Sequence, residues 1–218
     1  MSIRLVIFDC DGVLIDSEPV VNRVVAAELA RQGWPMTPAE SCERFLGLDL
    51  HAMVPLIELA MGRRLPSNWE AELTARIVAT LQGEAPMVPG AMAALDGVTA
   101  LGLPWRVASN SSHAELAAKF GRNGLAGRVA GRLHSFTDVP RGKPAPDLFL
   151  AAAAAEGVEP RDCIVVEDSV PGVTGATAAG MACLGFNRHG DGLALEAAGA
   201  RLFREMAEVP GLVRERLR

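Results

Sequence analysis

The sequence predicts an α/β fold: a Rossmann-like doubly wound parallel sheet core with an inserted all-helical cap domain. Three observations lead there. Short apolar runs bounded by turn residues alternate with helix-patterned stretches, which suits a parallel sheet covered on both faces. Between residues 16 and 84 that alternation lapses and only helical patterns are present. Acidic residues gather where apolar runs stop, and ligands of such sheets sit beyond the carboxyl ends of the strands.

The first predicted strand, residues 3–8, runs straight into Asp9-Cys10-Asp11-Gly12. Helices follow at roughly 18–32, 38–46, 50–61 and 68–82. Thr37-Pro38-Ala39-Glu40 and Ser67-Asn68-Trp69-Glu70 have capping-box spacing, and Gly33, Gly47 and Gly62 punctuate the ends. Alternation resumes at Met87-Val88-Pro89-Gly90, with strands predicted at 105–109, 132–135, 163–166, 182–186 and 201–203. The expected division is a core of residues 1–15 and 85–218 and a cap of residues 16–84. The two would be joined near Asp16 to Pro19 and Gly83 to Pro89.

At 218 residues the chain buries about 70% of its unfolded surface and needs no disulfide staples. Cys10, Cys42, Cys163 and Cys183 lack zinc-site spacing. A net charge of −5 without a basic tract argues against nucleic acid as a partner. No apolar run approaches a membrane span and the start lacks a signal-peptide pattern, so a cytoplasmic protein is expected, most simply a monomer. Of 21 basic residues only Lys119 and Lys143 are lysines, which invites a specific reason for each.

Alternate residues of an extended chain face one way, so Asp9 and Asp11 can share one small volume. Two like charges that close repel unless a cation or a proton lies between them. An Asp-Gly turn alone would also explain Asp11-Gly12, so the other strand ends matter. The second ends in Ser109-Asn110-Ser111-Ser112; Ser112 has capping-box spacing to Glu115, which leaves Ser109 and Asn110 free to meet an anion. Lys143 stands in a stiff Gly-Lys-Pro turn, suited to act as a point charge on phosphate. The strand at 163–166 ends in Glu167 and Asp168, and hard oxygen ligands of this kind suit Mg²⁺.

Four segments together carry a resemblance: DCDGVLIDSE at 9–18, VASNSS at 107–112, GKPAPD at 142–147 and VVEDSVPGVTGATAAGM at 165–181. In these the chain closely resembles the haloacid-dehalogenase superfamily of phosphohydrolases, in the branch with a helical cap inserted after the first strand. The resemblance implies Asp9 as nucleophile, Asp11 as general acid/base, and Ser109, Asn110 and Lys143 as phosphate binders. It implies Mg²⁺ held by Asp9, by the backbone carbonyl of Asp11 and by Asp168, with Glu167 acting in support or through water. Asp11 is expected to be protonated before the first step. The substrate would be a small phosphate ester.

Within that family, Asp11 speaks against a dehalogenase. The absence of lysine from 16–84 speaks against a phosphonate-cleaving enzyme. Val21 and Leu50 stand where β-phosphoglucomutase-like relatives carry a histidine and an arginine, which leaves a mutase as an alternative only. DCDGVLIDSEPV with FLGLDLHAM at 45–53 looks most like bacterial sugar-phosphate phosphatases, including those acting on 6-phosphogluconate. Gly47, Leu48 and Asp49, with Arg44, His51, Arg63 or Arg64, are candidates to meet the rest of the substrate. A non-catalytic phosphometabolite-binding protein is the reading from another class; the presence of Asp9, Asp11 and Lys143 argues against it.

Overall fold

The computed structural model describes residues 2–45, 48 and 50–217. Strand β1 (Leu5–Phe8) is followed by helices α1 (Glu18–Arg31), α2 (Pro38–Phe45), α3 (Leu50–Met61) and α4 (Trp69–Gly83). Then come α5 (Ala91–Ala100), β2 (Trp105–Ser109), α6 (His113–Arg122), α7 (Ala126–Val129), β3 (Leu133–Ser135) and α8 (Asp147–Ala155). The chain closes with β4 (Cys163–Glu167), α9 (Val170–Ala178), β5 (Ala182–Phe186), α10 (Leu193–Ala197), β6 (Arg201–Phe203) and α11 (Val209–Arg214). Among the described residues no helix is long and apolar enough to cross a membrane.

The six strands form one sheet in the order β3-β2-β1-β4-β5-β6, with every pairing parallel. β1 and β4 are buried on both faces, which is why they read as unbroken apolar runs rather than alternating ones. The chain moves outward from β1 through β2 to β3, then returns to the other side of β1 for β4. That reversal lies between β1 and β4, where a doubly wound sheet opens its ligand crevice. Phe8 pairs with Val166 there, and the Asp9 N–H continues the ladder to the Val166 carbonyl at 2.9 Å.

Helices α1 and α4 are fastened by one buried carboxylate. Glu28 on α1 accepts hydrogen bonds from Arg31 Nε at 2.9 Å, Gln32 Nε2 at 2.9 Å and Trp69 Nε1 at 3.2 Å, and from Arg76. Arg76 and Trp69 belong to α4, so the charge is both paired and used to fasten two helices. Thr37 and Glu40 form the expected reciprocal cap of α2. The corresponding expectation at Ser67 fails: α4 starts after Asn68, because the Trp69 N–H closes a turn onto the Pro66 carbonyl.

The chain enters and leaves this helical block side by side. Ile15 and Met87 form an antiparallel bridge, with the Asp16 N–H on the Pro86 carbonyl at 2.8 Å and the Val88 N–H on the Leu14 carbonyl at 3.0 Å. α4 also lies along α6, where Arg122 Nε donates to the Gly83 carbonyl and Asn123 Nδ2 to the Ala85 carbonyl.

Candidate active site

Asp9 follows β1 directly, and the sheet brings the ends of β2 and β4 to either side of it. Lys143 Nζ reaches in from the segment before α8, donating to Asp9 Oδ1 and, at 2.6 Å, to Glu167 Oε1. Its side chain is almost wholly buried and its tip lies 5.2 Å from the centre of the Phe149 ring. Burial would lower the lysine, yet the Asp9 and Glu167 carboxylates outweigh it and hold Lys143 charged.

Asp9, Glu167 and Asp168 each present a carboxylate oxygen within 4.8 Å of the others. Three carboxylates thus face one ammonium. Burial pushes Asp9 up to about 7 against the pull of Lys143, and Glu167 and Asp11 add to the push. Burial, with Glu167 and Asp9 beside it, drives Asp168 well above the usual carboxylate range. Such a cluster asks for a cation, and an all-oxygen set suits Mg²⁺. Glu167 is the least available of the three: its Oε2 already accepts from Asp168 N, Ser169 N and Ser169 Oγ, each at 2.9 Å.

The space beside Asp168 depends on a glycine. Gly12 has φ +76°, and a Cβ there would stand 1.8 Å from Asp168 Oδ2. Gly12→Ala should therefore displace the Asp168 carboxylate, and a Mg²⁺ ion held there would bind about ten- to a hundredfold more weakly. Calorimetric titration of Mg²⁺ into the variant checks this; unchanged affinity would remove Asp168 from the ligand set.

Asp11 is turned to different partners. Its Oδ1 accepts from Ser17 Oγ and from Lys119 Nζ at 2.6 Å, its Oδ2 from Ser111 Oγ at 2.8 Å and Ser109 Oγ at 3.3 Å. Burial alone would raise this carboxyl, but the Lys119 ammonium and the hydrogen bonds from Lys119, Ser17 and Ser111 bring it down to about 2. In the ligand-free site four donors thus stabilise the Asp11 anion, and the proton expected on it belongs to the reacting complex.

Of the remaining expected residues, Ser109 lies at the end of β2, where its Oγ also accepts from Ser111 N at 3.0 Å. The Asn110 side chain is committed elsewhere. It accepts from Lys143 N at 2.9 Å and donates to the Lys143 carbonyl at 3.1 Å, so it fixes the turn that carries the lysine. Ser112 forms the expected capping box with Glu115. Arg44 lies over the Trp34 ring, Arg63 donates to the Gln32 carbonyl, Arg64 pairs with Glu58 and His51 faces Glu70. Each is engaged within the helical block, and Gly47 and Asp49 lie outside the described residues.

Sequence reasoning missed Lys119, Ser111 and Ser17 as partners of Asp11. A usable signal existed for the first. Leu116, Lys119 and Phe120 follow helical spacing, which puts the lysine on the apolar face of α6. A cleft of about 460 Å³ opens beside the acidic group, bordered by Gly12, Asp16, Glu18, Asp168, Arg188 and His189. Arg188 pairs with Asp16 at 2.8 Å on its rim.

Residues 3–180 match the family model described as haloacid dehalogenase-like hydrolase. The chain is 33% identical over 181 residues to the 6-phosphogluconate phosphatase of Escherichia coli K12, covering 82% of this chain and 80% of that protein. It is 32% identical over 188 residues to hexitol phosphatase A of the same organism, covering 85% and 83%. A crystal structure of a HAD family hydrolase from Deinococcus radiodurans R1, with bound phosphate and sodium, superposes with a TM-score of 0.81 at 30% identity, covering 98% of this chain and 96% of that one.

Proposed function

We propose that this chain, which belongs to the haloacid dehalogenase-like hydrolase family, is a Mg²⁺-dependent phosphatase of a small phosphorylated metabolite, a sugar or sugar-acid phosphate, acting through an aspartyl-phosphate on Asp9. The observation that carries this reading is the buried Asp9 carboxylate, set at the sheet's reversal point between Lys143 and the paired acids Glu167 and Asp168. A carboxylate so placed can attack phosphorus only where the anion it approaches is neutralised.

The roles divide as follows. Asp9 forms the bond to phosphorus, and Lys143 and Ser109 bind the phosphoryl oxygens. Asn110 keeps the Lys143 turn in place, and Glu167 anchors Lys143 from below. Asp9, Asp168 and the Asp11 carbonyl would hold Mg²⁺, with Glu167 in support. When bound there, Mg²⁺ supplies positive charge against both the phosphate and the acidic cluster. Asp11 gives a proton to the leaving oxygen and then takes one from the water that splits the acyl phosphate. For the first of these steps it must carry a proton, which its donors disfavour in the ligand-free site.

Residues 16–84 serve in this reading as a cap that bends over the site at the Ile15–Met87 bridge. The cleft's lining is mostly charged or hydrogen-bonding, which favours a polyhydroxylated leaving group over a flat nucleobase. The names of 6-phosphogluconate phosphatase and hexitol phosphatase A support this reading, while a probable pseudouridine-5'-phosphatase of Drosophila melanogaster, 35% identical over 191 residues, is the reason nucleotides belong in the test. Val21 and Leu50 pack against the hydrophobic cluster and offer no basic group for a mutase.

The test is phosphate release from a panel of phosphorylated sugars, sugar acids, sugar alcohols and nucleotides, with Mg²⁺ and with chelator. Release that needs Mg²⁺ and concentrates on the first three groups is expected. Release undiminished by chelator would overturn the metal assignment, preference for nucleotides the substrate class, and no release from any substrate the enzymatic reading.

A further inference from the structure

Both lysines of this chain are buried, and each meets one aspartate of the first motif: Lys143 meets Asp9, and Lys119 meets Asp11. In the second pair Asp11 has a part in the chemistry described so far and Lys119 has none. Lys119 comes from α6 and is 2% exposed. Its Nζ lies 2.6 Å from Asp11 Oδ1 and 2.7 Å from Ser111 Oγ, and Ser111 Oγ donates in turn to Asp11 Oδ2 at 2.8 Å. The three groups close a ring. Ser135 Oγ, at the end of β3, holds the Ser111 carbonyl at 2.7 Å and so fixes the ring to the sheet. A buried ammonium is tolerated only when its partners are well placed, and here both visible partners belong to the Asp11 environment.

We propose that Lys119 is a positioning residue for Asp11: together with Ser111 it fixes where the Asp11 carboxyl stands relative to the ester oxygen that must leave. This inference rests on the aspartyl-phosphate reading above. In the first step the Asp9–phosphorus bond forms as the phosphorus–oxygen ester bond breaks. The leaving oxygen keeps the electron pair and receives the proton of Asp11. In the second step a water oxygen bonds to phosphorus, the Asp9–phosphorus bond breaks, and the water's proton goes to Asp11. Lys119 forms and breaks no covalent bond in either. Its loss lets the Asp11 carboxyl wander, which matters only where a proton has to be delivered.

Leaving-group chemistry isolates that effect. An alkoxide leaves poorly without a proton, whereas p-nitrophenolate leaves well without one. Steady-state kcat/KM, which reports steps through the first chemical one, is to be measured with Mg²⁺ on the best alkyl phosphate of the panel and on p-nitrophenyl phosphate. Lys119→Met should lower the alkyl value by roughly a hundredfold and the aryl value by less than about threefold. Adding Lys119→Met to Asp11→Asn should lower the alkyl value no further than Asp11→Asn does alone. Equal losses on the two esters, or additive losses in the double variant, would overturn the proposal in favour of a purely structural lysine. Should Lys119→Met not fold, Ser111→Ala carries the same comparison, with a smaller shift in the same direction. A wild type inactive on both esters would instead remove the phosphatase reading itself.

Discussion

Replacing Asp9 with asparagine should abolish turnover and, at the same time, make the metal-free protein gain on the wild type in stability as the pH rises. The first effect follows from chemistry. An amide cannot form the acyl phosphate, so kcat/KM should fall by at least about a thousandfold. The second follows from charge. Burial pushes Asp9 up to about 7, while an aspartate in the unfolded chain titrates near 4. Between those values the folded protein binds the proton more tightly than the unfolded one. Stability attributable to this group is therefore lost as pH rises from about 4 to about 7. Asparagine carries no such loss. Urea denaturation in chelator at pH 5 and pH 8 reads the difference; a stability gap independent of pH would contradict the raised titration. More than a tenth of wild-type activity in the variant would place the nucleophile elsewhere.

Lys143→Met should have the opposite effect on stability. Removing the ammonium leaves Asp9 and Glu167 buried against each other without a counter-charge. Breaking a buried pair in this way costs about 3–5 kcal/mol. The loss should be largest near pH 8 and shrink towards pH 5. Without Lys143 the folded-state titration of Asp9 rises further, so at low pH the carboxyl is neutral and the missing partner matters less. Saturating Mg²⁺ should recover part of the stability and none of the turnover, because the phosphate still lacks its point charge. Lys143→Arg should not rescue activity: a planar fork does not fit a slot shaped by the Phe149 ring and two carboxylates. Full activity in either variant would exclude Lys143 from the phosphate site.

The strands are legible in the sequence because each is short, and most are apolar runs that end in, or are followed at once by, a polar residue. All six form, and only their ends move by a residue or two. Asp9, Lys143 and Asp168 are legible for the same reason, since strand ends are where a doubly wound sheet collects its ligands. What stays hidden is which neighbour a polar side chain chooses. Glu167 and Asp168 are adjacent and chemically alike, yet one is sealed under the lysine and the other faces the cleft. Asn110 lies one residue from Ser109 but serves the backbone of a loop 33 residues away. Lys119 is the clearest case. Its meaning depends on α6 carrying it to Asp11, 108 residues away in the chain, a tertiary fact that helical spacing within α6 hints at and cannot complete. Ser67 errs in the other direction, because a local capping pattern there is overridden by a tighter turn at Pro66.

The bridge between Ile15 and Met87 also bears on how such a protein can change. Asp16 and Pro86 are joined by a single hydrogen bond of 2.8 Å, although 69 residues lie between them. The helical block is therefore a detour that begins and ends at one place. Another detour could take its position with the strands kept, provided its two ends met and it covered the face of α6 on which α4 now packs. Under the proposed phosphatase reading, recognition of the leaving group and the chemistry on phosphorus could then vary separately, with the sheet kept intact beneath.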